Sequence, residues 1–141
     1  RKLFQENGET YKKVLQIIKN TAELAIKSEN NNLREMGELL FKSLDIIEDC
    51  SVWLIDKYEE NPEISAAGAT PFLNMFGWVL GGWVMLNSAN KAQLIILKDK
   101  NNKFAKEKIN TASFFCNTYL PLASSLQNTI KKSFYALENF N

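Results

Sequence analysis

The sequence predicts an all-α fold, an up-down-up-down bundle of four helices with a buried, uncharged third helix and a fourth helix kinked by proline. Apolar residues recur at steps of three and four along most of the 141 residues, which is the period of an amphipathic helix. The strict apolar–polar alternation of strands is absent, and only six Gly and three Pro interrupt the chain. A chain of this length supports one domain, so residues 1–141 are predicted to form a single helical domain.

The first helix is predicted after Gly8. The run Asn30-Asn31-Asn32 is expected to end this helix and to cap the next, because asparagine is favoured at both positions. The apolar stripe of this helix comprises Tyr11, Leu15, Ile18, Ala22 and Ala25, widened by Val14, Ile17 and Leu24.

The second helix carries two neighbouring apolar stripes, so it is expected to contact two partner helices. The dipeptide Asn61-Pro62 is predicted to close it, because asparagine caps helix ends and proline fits the first turn of a following helix. Thr70-Pro71 then marks either a fresh helix start or a kink. The stripes comprise Leu33, Met36, Leu40, Leu44, Ile47, Leu54 and Tyr58 on one side, and Leu39, Ile46, Cys50 and Trp53 on the other.

The third helix is predicted from a segment without charge. No charged residue lies between Ile64 and Asn90, and residues 72–86 are apolar on every side of a helix. Such a helix is expected to be buried all round. A membrane span needs about 20 apolar residues, and this run is shorter, so no span is predicted. Gly77 and Gly81 form a small-xxx-small pair, which is expected to admit another helix backbone at Gly81.

The third helix also holds more apolar surface than a small bundle readily encloses. Some of its large side chains are therefore expected to reach the outside and to form a partner surface. A pocket for a flat ligand at Trp78 and Trp83, together with Trp53 of the second helix, is the alternative to packing in a core or an interface. The large side chains in question are Phe72, Phe76, Trp78, Trp83 and Met85.

The fourth helix follows a short polar link from Lys98 to Lys103. So short a link makes the helices on either side antiparallel neighbours. Pro121 lies inside the helix and is expected to kink it near residues 117–121, since its ring removes a backbone hydrogen bond. The apolar stripe comprises Ile109, Ala112, Cys116, Tyr119, Leu122, Leu126, Ile130, Phe134 and Leu137, with Phe115 beside it.

The residue types present exclude several kinds of chemistry. The sequence has no histidine, which excludes His-ligated zinc, carboxylate-and-histidine di-iron centres, proximal haem ligation and Ser-His or Cys-His nucleophiles. Cys50 and Cys116 lie in apolar patterns, which indicates inert buried thiols in a reducing compartment and favours a cytoplasmic protein. No catalytic, cofactor-binding or metal-binding residue is predicted.

Charge is unevenly distributed along the chain. Residues 28–63 carry ten acidic and three basic side chains, whereas the net charge of the whole chain is +1. Complementary solvated faces are favoured over a polyanion-binding surface, so no nucleic-acid partner is predicted. The acidic residues of the second helix are expected to be solvated rather than to bind metal. They are Glu35, Glu38, Asp45, Glu48, Asp49 and Asp56.

Two motifs, in this order and spacing, carry a family resemblance. The first runs from Ala69 to Gly77 and continues as Val79-Leu-Gly-Gly-Trp83, and the second is Lys108-Ile-Asn-Thr-Ala-Ser-Phe-Phe115 followed by Tyr119-Leu-Pro121. Together they resemble the C-terminal extension of a bacterial branch of the acyl-CoA dehydrogenase family. The opening Arg1-Lys2-Leu3 is similar to the link by which the dehydrogenase body passes into that extension.

The resemblance implies a parent enzyme, an acyl-CoA dehydrogenase of fatty acid metabolism that oxidises the α,β bond of an acyl-CoA thioester. Its FAD and its catalytic glutamate belong to the dehydrogenase body, so no cofactor is expected in this fragment. The implied function is a non-catalytic domain that packs on the body and on further subunits of a homo-oligomer, and that supports assembly or shapes the substrate entrance. The alternative is a free-standing helical protein-interaction module.

Overall fold

The computed structural model describes the backbone of residues 8–138 and the side chains of residues 8–63 and 67–132. Four long helices and one short helix account for most of this range, and no strand occurs in it. The helices are α1 (Glu9–Ile26), α2 (Asn31–Glu60), α3 (Pro62–Ala67), α4 (Ala69–Lys98) and α5 (Lys103–Glu138). The predicted all-α four-helix bundle is confirmed, with α4 and α5 as its third and fourth long helices.

The four long helices occupy the corners of a bundle. α4 and α5 share the most extensive packing, and α2 packs against α1, α4 and α5. α1 packs against α2 and α4, and within the described residues it does not pack on α5. α2 and α4 therefore meet across the centre. The up-down-up-down order and a kink at Pro121 stay predictions; α5 continues as a helix through Pro121.

The predicted stripes of α1, α2 and α5 form most of the core. In α1 the stripe residues from Leu15 onward are buried, whereas Ile17 and Leu24 are exposed. In α2 the first stripe is buried from Leu33 to Leu54, and Tyr58 near the end of the helix is exposed. Phe134, Leu137 and the Arg1-Lys2-Leu3 segment lie outside the described side chains. The buried stripe residues of α5 are Ile109, Ala112, Cys116 and Ile130.

Helix boundaries follow the predicted asparagine and proline signals. Asn30 caps α2, because its Oδ1 accepts from the backbone amides of Asn32 at 2.9 Å and Leu33 at 3.4 Å. α2 ends at Glu60, directly before the Asn61-Pro62 pair. Thr70-Pro71 lies in the first turn of α4, so this dipeptide marks a helix start and not a kink.

α4 is not buried on every side, and that expectation is wrong. Met75, Val79 and Leu86 form part of its buried stripe, but Leu73 is 68% exposed and Val84 is 53% exposed. The physical reason is position: a corner helix of a four-helix bundle has an outward side that no further helix covers. The length and mean hydropathy of α4 also suit a membrane span, but the core helix of a soluble protein meets the same criterion, so this evidence for a span is weak.

The side chains that reach the outside of α4 differ from those expected. Phe72 is buried. The other four large side chains, Phe76, Trp78, Trp83 and Met85, are half-buried. Large aromatic and Met side chains can pack over a neighbouring helix, which removes most of their surface from water. Shorter residues such as Leu73 and Val84 remain exposed instead.

The close backbone approach occurs at Gly37 and not at Gly81. A Cβ on Gly81 would lie 2.6 Å from Cζ of Phe115, so the neighbour there is an aromatic ring. A Cβ on Gly37 would lie 2.8 Å from the carbonyl oxygen of Ala22 and 3.0 Å from the backbone nitrogen of Ile26. Gly37 therefore lets α1 and α2 approach each other, and a lone glycine in an amphipathic stripe gives no spacing signal for such a role.

Candidate functional site

An open groove of about 610 Å³ runs between the first half of α4 and the middle of α5. We call it the α4–α5 groove. Leu73 and Leu122 are exposed in its lining, and a Cβ on the exposed Gly77 would meet no atom within 4 Å, so the surface at that glycine is open. The lining residues are Leu73, Asn74, Gly77, Trp78, Phe115, Leu122, Ser125 and Leu126.

Both walls of the groove come from charge-free stretches of sequence. Residues 64–90 and residues 109–130 contain no Asp, Glu, Lys or Arg. The second stretch gives no distinct signal in the sequence, because its polar Asn, Thr, Ser and Gln residues give it an ordinary amphipathic pattern. Packing α4 on α5 brings parts of the two stretches together at the groove, so both of its walls lack formal charge.

An aromatic cluster contributes to the lining of the groove through Trp78 and Phe115. The rings of Trp78 and Tyr119 stack with their centroids 4.9 Å apart and their planes 5° from parallel. Phe115 packs on Tyr119 at 4.8 Å and also against Gly81, whose missing side chain leaves room for the ring. Gly81 belongs to the first sequence motif, and Phe115 and Tyr119 belong to the second, so the structure places those motifs in direct contact.

The polar atoms at the groove are few. Ser125 Oγ donates to the carbonyl oxygen of Leu122 at 2.7 Å, which leaves this hydroxyl committed to its own helix. Asn74 contributes a side-chain amide to the lining, and Trp78 contributes an indole N–H. Neither a thiol nor a carboxylate lines the groove, so the arrangement suits recognition of an apolar surface rather than acid–base or nucleophilic chemistry.

Both cysteines are free and buried, as predicted. Burial raises the pKa of Cys50 to about 11, with the negative charge of Asp49 adding to the effect. Burial also raises the pKa of Cys116 to about 12, and its Sγ lies 3.9 Å from the carbonyl oxygen of Gly82. A thiol with a raised pKa and no access to solvent is a poor nucleophile.

The acidic residues of α2 are all exposed, which confirms their predicted solvated state. Asp49 accepts from Gln127 Nε2 at 2.7 Å and from Lys131 Nζ at 3.0 Å, and these bonds tie α2 to α5. Hydrogen bonding from Lys131, followed by that from Gln127, lowers the pKa of Asp49. Across the described part of the chain, no three Asp, Glu or Cys side chains gather in a way that could hold a metal ion.

Trp83 has a structural role. Its Nε1 donates to Thr21 Oγ1 at 2.9 Å, and the nearby Asn90 donates to the carbonyl oxygen of Thr21 at 3.3 Å. Both bonds join α4 to α1. The indole N–H of Trp83 thus serves a helix–helix contact.

Comparison with known proteins identifies the family of the chain. The sequence profile of one family, described as acetyl-CoA dehydrogenase C-terminal like, matches residues 14–137. The chain belongs to this family. The resemblance drawn from the two motifs is thus confirmed, and both motifs fall inside the matched range. No curated protein and no solved structure matches the chain significantly.

The α4–α5 groove does not suit FAD, the cofactor that the acyl-CoA dehydrogenase context implies. The pyrophosphate of FAD requires cationic side chains or several N–H donors. The lining side chains offer the amide of Asn74, the indole N–H of Trp78 and the hydroxyl of Ser125, which already donates to Leu122, and neither wall carries a Lys or Arg. The residues that line the described groove therefore do not fit a flavin.

Proposed function

We propose that this chain is a non-catalytic C-terminal domain of an FAD-dependent acyl-CoA dehydrogenase, where it packs on the catalytic body and supports assembly of the enzyme. The observation that carries the proposal is the family match, because residues 14–137 include nearly all of the helical bundle. In this proposal the body holds FAD and the catalytic glutamate and acts on acyl-CoA. The proposal includes a cytoplasmic location in a bacterium and no membrane span.

Exposed apolar side chains support a protein partner of this kind. Leu94 and Leu97, one turn apart near the end of α4, are exposed, as is Phe104 just after the link to α5. Contiguous apolar surface on a soluble domain usually marks an interaction site. A domain that packs on a larger body would cover such residues, and in that position it could also border the entrance for the acyl chain or CoA.

The test compares the full parent enzyme with a version whose chain ends before Gly8 and therefore lacks the helical domain. We expect truncation to lower the flavin content and to impair oligomeric assembly, while the rate per bound flavin stays close to that of the full enzyme. The matched control carries Lys100→Ala in the exposed link, a change that should alter none of the three quantities. Normal assembly and flavin content with loss of the chemical step would contradict the proposal and place a residue of this chain at the active site.

A free-standing interaction module is the alternative function. The same exposed apolar residues would then contact an unrelated protein. The two functions are separated by the reading frame upstream of Arg1: continuation into dehydrogenase sequence supports the C-terminal domain, whereas an initiation codon there supports the free-standing module.

A further inference from the structure

We propose that the end of the bundle formed by the α4–α5 link binds the surface of an anionic phospholipid membrane without crossing it. Residues 94–108 comprise the last residues of α4, the link and the start of α5, and we call them the α4–α5 tip. The proposal goes beyond the proposed function and does not depend on it. Apolar exposure alone would suit the catalytic body as well, so the shape, charge and position of the tip decide between the two partners.

The tip extends beyond the neighbouring helices. Asn30, in the link between α1 and α2, donates to Gln93 Oε1 of α4 at 3.1 Å, so α1 and α2 meet near the level of Gln93. α4 continues from Leu94 to Lys98, which adds about 7–8 Å at a rise of about 1.5 Å per residue. The tip therefore projects past the α1–α2 link.

Large apolar side chains are exposed on the projecting tip. Leu97 follows the buried Asn90 by two helical turns and so continues the buried stripe of α4, yet it is 65% exposed because α1 and α2 end before it. Leu94 is 63% exposed and Phe104 of α5 is 69% exposed. Side chains of this kind can enter the boundary between headgroups and acyl chains of a bilayer, where they leave water.

Lysines lie among these apolar side chains. The tip carries five lysines against Asp99 and Glu107, and all seven charged residues are exposed. Lys108 Nζ lies 5.8 Å from the ring centroid of Phe104, so an ammonium group lies beside an apolar ring. An anionic lipid surface is complementary to this arrangement, because it attracts the lysines to its headgroups while the apolar side chains enter the lipid. The five lysines are Lys98, Lys100, Lys103, Lys106 and Lys108.

The nearest charges outside the tip do not reverse its sign. Between the end of α1 and the first turn of α2, Lys27 and Arg34 are offset by Glu29 and Glu35. With the next charges along α1, α2 and α4 counted as well, this end of the bundle still has more basic than acidic residues. Those next charges are Glu23, Glu38 and Lys91.

Two observations favour lipid over the catalytic body at the tip. Protein interfaces are enriched in arginine and depleted in lysine, whereas the tip has five lysines and no arginine. In the proposed function the body precedes Gly8, and the 18 residues of α1 carry the chain about 27 Å from there toward the α1–α2 link. The body therefore joins the bundle at the end opposite to the tip.

The first experiment measures co-sedimentation of the 141-residue chain with lipid vesicles. One set of vesicles contains phosphatidylcholine and phosphatidylglycerol in equal parts, and the other contains phosphatidylcholine alone. We expect binding to the mixed vesicles to be at least about tenfold stronger and to weaken as salt is added, because the lysines are attracted to anionic lipid. Absence of binding to the mixed vesicles, or equal binding to both sets, would overturn the proposal.

An apolar double variant locates the contact at the tip. Leu97→Ser/Phe104→Ser should weaken binding to the mixed vesicles at least about tenfold, because it removes side chains that enter the lipid. Both residues are exposed, so helical circular dichroism should not change. The matched control, Leu73→Ser/Leu122→Ser, replaces two exposed leucines outside the tip and should bind like the unmodified chain. A folded tip variant that binds like the unmodified chain would overturn the proposal.

The full parent enzyme separates lipid from the catalytic body. It should bind the mixed vesicles, and Leu97→Ser/Phe104→Ser in the parent should weaken that binding while flavin content and oligomeric state stay unchanged. This result is expected whatever the loss of the whole domain does to flavin content and assembly, so the proposal and the proposed function can fail separately. A parent enzyme that does not bind the mixed vesicles, or whose tip variant loses flavin or assembly, would overturn the proposal and assign the tip to the catalytic body.

Discussion

At the scale of single residues, two helical glycines are expected to respond to the same substitution in opposite directions. Gly77→Ala should stabilise the fold by about 0.5–1 kcal/mol, because alanine favours the helix and the added methyl meets nothing. Gly37→Ala should destabilise it by about 1–3 kcal/mol, since its methyl would press on backbone atoms of α1. Urea unfolding followed by circular dichroism at one low chain concentration measures both effects. A Gly37→Ala variant as stable as the unmodified chain would show that α1 and α2 are further apart.

The ion pair of Asp49 with Lys131 sets a second expectation at this scale. Hydrogen bonds from Lys131 and Gln127 lower the pKa of Asp49, so the folded state holds its proton less tightly than the unfolded state does. The resulting stability is present above the ordinary aspartate pKa and is lost as pH falls through the folded-state pKa. Asp49→Asn should cost less than about 1 kcal/mol at neutral pH, because the pair is largely solvated.

Acid titration of stability checks this expectation. The Asp49→Asn variant should lose less stability than the unmodified chain between about pH 5 and pH 2. Asp45→Asn, an exposed aspartate one turn earlier on α2, is the matched control. Identical acid profiles for the Asp49→Asn variant and the unmodified chain would contradict a contribution of this pair to the pH dependence.

At the scale of helices, the sequence predicts an element well where its pattern has two distinct sides. The stripe from Leu15 to Ala25 in α1 is buried as its spacing indicates, and the asparagine and proline signals mark the helix ends correctly. The all-apolar segment of α4 misleads, because composition does not report how many neighbours a helix has. α3 has only six residues, which is too short for a periodic pattern to indicate it.

The groove could not be predicted for a related reason. Its walls lie about forty residues apart in sequence, and a site shared by two helices becomes visible only when their packing is known. The two motifs were recognisable separately as family features. The structure alone shows that the ring of Phe115 packs against Gly81. This contact brings the two motifs together.

At the scale of helices, the prediction concerns the stability that the N-cap residue Asn30 contributes to α2. Asn30 Oδ1 caps α2, and its Nδ2 donates to Gln93 Oε1 of α4 at 3.1 Å. Asn30→Ala should therefore cost about 1–2 kcal/mol. Asn30→Asp should cost less, because the aspartate keeps the cap and loses only the bond to Gln93. The measurement is thermal unfolding followed by circular dichroism.

The N-cap of α5 supplies the matched control for this prediction. Asn102 Oδ1 accepts from the amide of Ala105 at 2.9 Å without a bond to another long helix among those described. Asn102→Ala should therefore destabilise less than Asn30→Ala. Equal losses in the two alanine variants would show that the Asn30–Gln93 bond adds nothing to the cap.

At the scale of the whole molecule, the two buried thiols report whether the bundle opens as one unit. Cys50 lies on α2 and Cys116 lies on α5 against α4, and both are fully buried. Burial raises the pKa of each thiol to about 11 and about 12 respectively, so labelling by a thiol reagent requires opening of the structure. Since α2 and α4 pack across the centre of the bundle, we expect no part of the core to open alone.

Thiol labelling of the single-cysteine variants Cys50→Ala and Cys116→Ala tests this cooperativity. Each remaining thiol is labelled over a range of low urea concentrations, and its rate is divided by the rate in concentrated urea to give an opening free energy. Both opening free energies should equal the global unfolding free energy of the same variant, because a small single domain unfolds in one step. This comparison within each variant removes the cost of the cavity that the alanine creates. An opening free energy at Cys116 well below the global value would mean that α4 and α5 separate before the rest of the bundle unfolds, and that the groove between them is an independently mobile part of the molecule.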